Sequence, residues 1–216
     1  VFSTLPDGMS NPQVFTNHAP LYLYLSMLII LGGIGFPILV NFKDTLVTQL
    51  HSLWTLVRYR RWEGRKVYHN YSLNTRIVLI MTVSLLTVAT ILFALLEWNG
   101  ALSGLTPADK LTHAFFMGVC PRSAGFTSLD PLTWSTSSMI IFAVLMWIGG
   151  GAQSTAGGIK VNTFAVVLLN LKSMLRGSDR VEVFHRELSP GSIRRSNTTV
   201  LLSLSALVVA IFIMKL

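Results

Sequence analysis

The sequence predicts an all-α integral membrane protein, organised as helix–pore-loop–helix repeats with one inner helix broken inside the membrane. Three observations predict it. The chain of 216 residues is 51% hydrophobic and only 12% charged, whereas an ordinary soluble domain carries about 25% charged residues. Its apolar residues collect in four runs free of Asp, Glu, Lys and Arg, at 20–42, 77–96, 131–159 and 196–214. A bilayer-spanning helix needs roughly 17–25 mostly apolar residues, and each run is that long. The longest run is interrupted by "GGGAQSTAGG" at 149–158, five glycines in ten residues. Mean hydropathy is +0.58. A soluble all-helical core, the bland alternative, fits clustered rather than periodic apolar residues poorly.

The net charge of +8 matters less than its placement. Residues 43–76 hold seven Lys/Arg (Lys43, Arg58, Arg60, Arg61, Arg65, Lys66, Arg76) and residues 172–195 hold six (Lys172, Arg176, Arg180, Arg186, Arg194, Arg195). Segment 97–130 has only Lys110 and Arg122, and residues 1–19 have neither Lys nor Arg. Cytoplasmic loops are enriched in Lys and Arg, so 43–76 and 172–195 are expected inside and 1–19 and 97–130 outside. The expected contact of this charge is anionic lipid at the inner surface, above all for "RYRRWEGRK" at 58–66; no nucleic-acid partner is expected. One cysteine, Cys120, rules out an intrachain disulfide and a Cys-based zinc site. No signal-peptide pattern opens the chain. It starts on "VFSTLPDG" and stops within an apolar run at "IFIMKL", so it is expected to be a piece of a larger protein.

Taken in order, residues 20–42 cross inward and 77–97 return. The chain must be inside again before the basic segment 172–195, so 132–171 is one inward crossing. As a continuous helix its forty residues would be about 60 Å long, against a hydrocarbon core of about 30 Å. It has to break, and 149–158 is where. Backbone freed at membrane depth survives only if it is buried in protein or lines a watery cavity, which makes a broken helix a pointer to an ion or substrate path. Gln153, Ser154 and Thr155 have side chains suited to freed backbone groups or an ion. A kink for close helix packing is the simpler alternative, but one or two glycines suffice for that.

Between the second and third runs lies "LTPADKLTHAFFMGVCPRSAGFTSLDP". Thr106 as N-cap, Pro107 at the first helical position and Asp109 in capping-box register predict a helix over 107–118. It is about 18 Å long, too short to span. A short helix followed by an extended return is the plan of a re-entrant pore loop; an amphipathic surface helix with a turn is the alternative. The first residues, "VFSTLPD", are similar to "GFTSLDP" at 125–131, an offset of 124. Each is followed by an inward run with a glycine cluster, "LGGIGFP" at 31–37 and "IGGG" at 148–151. This suggests an internal repeat.

"RSAGFTSLDP", "WIGGGAQSTAGGIKVNTFAVVL" and "LGGIGFPILVNFKD" resemble the Trk/Ktr superfamily of bacterial K⁺ transport subunits, over nearly the whole chain. The resemblance implies a pore of four helix–loop–helix repeats, of which this chain is a fragment. Residues 1–42 would be the end of the second pore loop and the inner helix of repeat two. Residues 43–76 would be a basic cytoplasmic loop, and 77–171 all of repeat three: outer helix 77–97, pore helix 107–118, filter 122–125 and broken inner helix 132–171. Residues 172–195 would be a basic cytoplasmic segment and 196–216 the first helix of repeat four. Such a fragment is not expected to conduct alone.

The resemblance also assigns roles. Arg122, Ser123, Ala124 and Gly125 match a filter strand that acts mainly through backbone carbonyls, with Arg122 more apt as a buttress than as lining. Ser123 stands where the family often has Thr, which keeps the hydroxyl, and Pro121 departs from the usual pattern. Gly149, Gly150, Gly151, Ala152, Gln153, Ser154, Thr155, Ala156, Gly157 and Gly158 match an intramembrane gating loop. Lys160 at its inner end either snorkels to the interface or positions the loop. The implied function is potassium uptake across the bacterial cytoplasmic membrane by a multi-pass pore subunit. The implied partners are a second copy of the full-length subunit and a cytosolic nucleotide-binding regulatory subunit. K⁺ is the transported ion, and no cofactor or resident metal is implied.

Other functions fit less well. The glycine stretch lacks the Gly-Lys-Ser/Thr ending of a phosphate loop, since Ile159 separates Gly158 from Lys160. A dinucleotide fingerprint fails at Ser154. An intramembrane serine protease built on Ser154 would need a histidine on another crossing; the five histidines (18, 51, 69, 113, 185) all lie outside the four runs, and His113 is better read as structural. The chain is therefore not expected to be an enzyme. The closer rival is an alternating-access transporter of another small solute. That would usually carry an intramembrane acid, whereas Glu97 and Asp130 sit at outer ends.

Overall fold

The computed structural model describes residues 19–44, 47, 54, 73–177, 180–183 and 186–215. The opening "VFSTLPD" and most of the basic loop 43–76, including 58–66, lie outside the described residues. Among the described residues, seven helices follow one another: α1 (Ala19–Ile34), α2 (Phe36–Asp44), α3 (Leu73–Glu97), α4 (Pro107–Val119), α5 (Thr136–Trp147), α6 (Val161–Leu175) and α7 (Pro190–Lys215). A 3₁₀ turn at Pro131–Thr133 precedes α5, and a two-residue hairpin, β1 (Glu182–Val183) with β2 (Arg186–Glu187), joins α6 to α7. Among the described residues, α3 and α7 are long and apolar enough to cross a membrane, and α1 with α2 makes a third if counted as one bent span. The apolar helices α5 and α6 are each shorter than a span.

Helix α3 organises the rest. Val78, Thr82, Leu86, Ala89, Phe93 and Glu97 are its buried residues along one face, spaced by three or four positions, so they form one stripe. Helix α4 packs most extensively on α3 and also touches α1. The other faces expose Ile80, Val83, Val88, Ile91 and Leu95, the arrangement of a helix whose outer side meets lipid. Two of its hydroxyls are satisfied within the helix: Thr87 donates to the Val83 carbonyl at 2.9 Å and Thr90 to that of Leu86 at 2.8 Å. Such back-bonding makes polar side chains tolerable in apolar surroundings.

Two apolar clusters hold the helices together. Tyr22, Phe93, Leu102, Ala114, Phe116, Met117, Cys120 and Trp134 join α1, α3, α4 and the turn before α5. Ile77, Ala165, Val181 and Val183 join the start of α3 to α6 and the hairpin. Glu97, buried at the end of α3, fastens the first cluster. Its Oε1 accepts from the Ser135 amide at 2.9 Å and the Ser135 hydroxyl at 2.8 Å, and its Oε2 from the Ala101 amide at 3.1 Å. Ser135 also caps α5, accepting from the Ser138 amide at 3.3 Å.

Residues 20–42, expected as one inner helix, are bent by 99° between α1 and α2. Gly35 has φ +98°, and a Cβ there would lie 2.5 Å from the Ala152 carbonyl oxygen, so only glycine fits the corner. Pro37 explains why the helix gives way here. In a continuous helix the residue-37 amide would bond the Gly33 carbonyl, and proline has no N–H. The starts of two other elements also differ from the expected bounds. Helix α3 starts at Leu73 rather than 77, and α7 at Pro190 rather than 196. The latter has a local cause: Ser189 accepts from the Ser192 amide at 3.3 Å ahead of Pro190, a capped, proline-led start.

Candidate functional site

Helix α4 begins as its sequence dictates. The Thr106 hydroxyl accepts from the Asp109 amide at 3.3 Å and donates to the Asp109 carboxylate at 2.6 Å, while Pro107 needs no partner for an N–H it lacks. The helix ends at Val119, and the chain turns: the Arg122 amide donates to the Val119 carbonyl at 3.2 Å and the Ala124 amide to that of Cys120 at 3.3 Å. An extended return is expected from the sequence; here the turn bonds hold 120–124 curled instead. Ser123 (φ +61°) and Gly125 (φ +69°) are both left-handed. For Gly125 this is free; for Ser123 it costs roughly 1–2 kcal/mol and needs support. The Arg122 side chain is buried, and its Nη1 has no hydrogen-bond partner among the described residues, whereas Ser123 and Gly125 are exposed and Ala124 is intermediate.

Behind this turn, His113 Nδ1 and Ser128 Oγ share a 2.8 Å hydrogen bond. The Tyr22 ring lies 5.1 Å from the His113 ring and 5.0 Å, edge-on, from Phe116.

Helix α5 stops at Trp147, and α6 starts at Val161. Between them the chain makes a closed loop. Ile148 and Ile159 run parallel as a β-bridge: the Gly149 amide donates to the Ile159 carbonyl at 2.9 Å, and the Ile159 amide to that of Trp147 at 3.0 Å. The Val161 amide donates to the Gly150 carbonyl at 2.9 Å. The neck is so narrow that a Cβ on Gly149 would fall 1.6 Å from the Gly157 carbonyl oxygen. No side chain fits there.

The loop is seated on the bend between α1 and α2. The Gly151 amide donates to the Gly33 carbonyl at 2.8 Å, and the Thr155 amide to the Gly32 carbonyl at 3.3 Å. These are two acceptors the broken helix leaves free, so each break satisfies the other. On its other side the loop reaches the α4 turn: the Gly157 amide donates to the Ser123 hydroxyl at 3.0 Å. Lys160 Nζ donates to the Ala156 carbonyl at 2.7 Å, closing the loop from within. Ala156 is buried, Ala152 and Ser154 are intermediate, Gln153 (φ +57°), Thr155, Gly157 and Gly158 are exposed, and Ser154 Oγ has no partner among the described residues. Below the loop, Asn162 Nδ2 donates to Asn74 Oδ1, tying α6 to α3.

The structure thus joins two stretches, 122–125 and 149–158, through Ser123 and Gly157. It adds residues that sequence reasoning did not assign to the site: Gly32, Gly33, Gly35 and Pro37 as the seat, and Tyr22, His113 and Ser128 behind the turn. Only the seat left a trace in the sequence, in the "LGGIGFP" cluster.

A spanning helix, a short capped helix with a returning loop and a span broken by a glycine neck define a multi-pass membrane protein with helix–pore-loop–helix architecture. The comparisons carry this to a family. The chain belongs to the TrkH cation transport protein family, whose model matches residues 2–216. It is 34% identical over 217 residues to the Ktr system potassium uptake protein B of Vibrio alginolyticus, covering 100% of this chain and 43% of that protein. It is 34% identical over 215 residues to the potassium/sodium uptake protein NtpJ of Enterococcus hirae, covering 99% of this chain and 43% of that protein. The potassium transporter TrkH of Vibrio parahaemolyticus matches in structure with a TM-score of 0.56 at 17% identity, over 84% of this chain and 36% of that one. That likeness shows the fold. The chain spans 43% of the length of these two curated relatives. The relatives are transport proteins by name, and this chain is a multi-pass protein of the cell membrane.

Proposed function

We propose that this chain forms part of a potassium uptake pore in the bacterial cytoplasmic membrane. Residues 122–125 supply backbone carbonyls to one quarter of an ion filter, and 149–158 form the gate beneath it. The observation that carries the reading is the Gly157 amide donating to the Ser123 hydroxyl at 3.0 Å. It supports placing an irregular, intramembrane loop directly against the turn whose carbonyls would replace the ion's hydration shell. Irregular backbone at membrane depth is tolerated where it lines such a path. Arg122 buttresses the turn from its buried position, and Lys160 holds the loop's inner end. The complete pore works as a homodimer under a cytosolic nucleotide-binding regulatory subunit, with the basic segments facing that subunit and anionic lipid.

The test is Rb⁺ and K⁺ uptake into liposomes holding the complete protein, with Gly125→Ala as the probe. A Cβ at a left-handed position costs roughly 1–2 kcal/mol, so the turn shifts and K⁺-selective uptake is lost or relaxed. A parent protein with no K⁺-selective flux overturns the reading in favour of a carrier for another solute.

A further inference from the structure

We infer that His113, Ser128 and Tyr22 are positioning residues that set ion discrimination from behind the filter. The inference rests on the proposed pore reading and concerns residues that never touch the ion. His113 lies on α4 and Ser128 lies three positions beyond Gly125, on the chain that returns from the turn. Their side chains share a 2.8 Å hydrogen bond across that gap. His113 is 1% exposed, Ser128 4% and Tyr22 0%.

Burying an imidazole nitrogen without a hydrogen bond is costly, and the bond to Ser128 meets that need at Nδ1. Tyr22 stands on α1, a different inward crossing, and packs against both His113 and Phe116. The returning strand is therefore tied to its own short helix and braced by the neighbouring crossing. Carbonyl filters separate K⁺ from Na⁺ through cavity size or through the number and field of the coordinating dipoles. Either way, slack in the strand lets the smaller ion be coordinated as well. The His113–Ser128 bond removes that slack at Gly125 and Phe126.

The experiment is the K⁺/Na⁺ uptake ratio of the complete protein in liposomes, measured on folded, monodisperse material. Ser128→Ala and His113→Leu each lower the ratio by about fivefold, which is about 1 kcal/mol, the net worth of one hydrogen bond. They are independent routes to the same loss, so misfolding of one leaves the other as the test. Ser128→Thr keeps the hydroxyl and holds the parent ratio, whereas Tyr22→Ala, which removes the bracing ring, lowers it. Leu102→Ala, a cavity in the same apolar cluster, lowers the unfolding midpoint but leaves the ratio alone. A parent ratio in Ser128→Ala, or an equal fall in Leu102→Ala, overturns the inference while the pore reading stands. A parent protein without K⁺ selectivity overturns both.

Discussion

The amide of Gly151 donates to the carbonyl of Gly33 at 2.8 Å, although 118 positions separate the two glycines. It links two broken helices at their breaks. Pro37 leaves the Gly33 carbonyl without its helical donor, and the loop that interrupts α5 and α6 brings an amide without a helical acceptor. In lipid neither group has water to turn to, so the two defects are stable only together.

Pro37→Ala tests this mutual dependence. It restores an N–H at position 37 that competes with Gly151 for the Gly33 carbonyl. The loop's seat weakens by about one net hydrogen bond, so amide hydrogen exchange across 149–158 speeds up about two- to tenfold. Unchanged exchange protection contradicts the account.

Ser123 predicts a second effect. Ser123→Ala removes the acceptor for the Gly157 amide and leaves a strained left-handed residue, so exchange at Gly157 rises and the protein is less stable. Ser123→Thr keeps both bond and protection. Ser123→Gly loses the bond but also the strain, and its unfolding midpoint lies above that of Ser123→Ala. Equal midpoints for the Ala and Gly variants would remove the strain argument.

Glu97 is the buried clasp between α3, Ala101 and the start of α5. In Glu97→Gln one carboxylate oxygen becomes an NH₂ facing backbone donors, whichever way the amide is turned. A buried donor left without its acceptor costs about 1–3 kcal/mol, and the thermal midpoint of the complete protein in detergent falls accordingly. A midpoint equal to the parent's contradicts the role given to Glu97.

The membrane architecture is legible in the sequence because it rests on run length and charge placement, which need no tertiary context. The capped start of α4 is legible for the same reason, since Thr106 and Asp109 act on neighbours. The 99° bend at Gly35 is not legible. Its glycines and proline permit a corner, but the donors that favour it come from Gly151 and Thr155, far along the chain. The curl at 120–124 is hidden because Ser123, a residue with no preference for positive φ, is held by a bond to Gly157. The His113–Ser128 pair is hidden in another way. A lone histidine on a short helix reads as structural until its partner across the turn is known.

The most direct measurement concerns Ser123 and Gly157. A Cβ built on Gly157 lies 3.4 Å from Ser123 Oγ, an approach that suits a disulfide. The complete protein carrying Ser123→Cys and Gly157→Cys, with its native cysteines (Cys120 among them) replaced by Ala, is assayed for K⁺ uptake before oxidation, after it, and after reduction. The account predicts that oxidation locks the loop under the filter turn and abolishes uptake, and that reduction restores it. Full uptake with the disulfide formed would mean that ions do not pass between these residues.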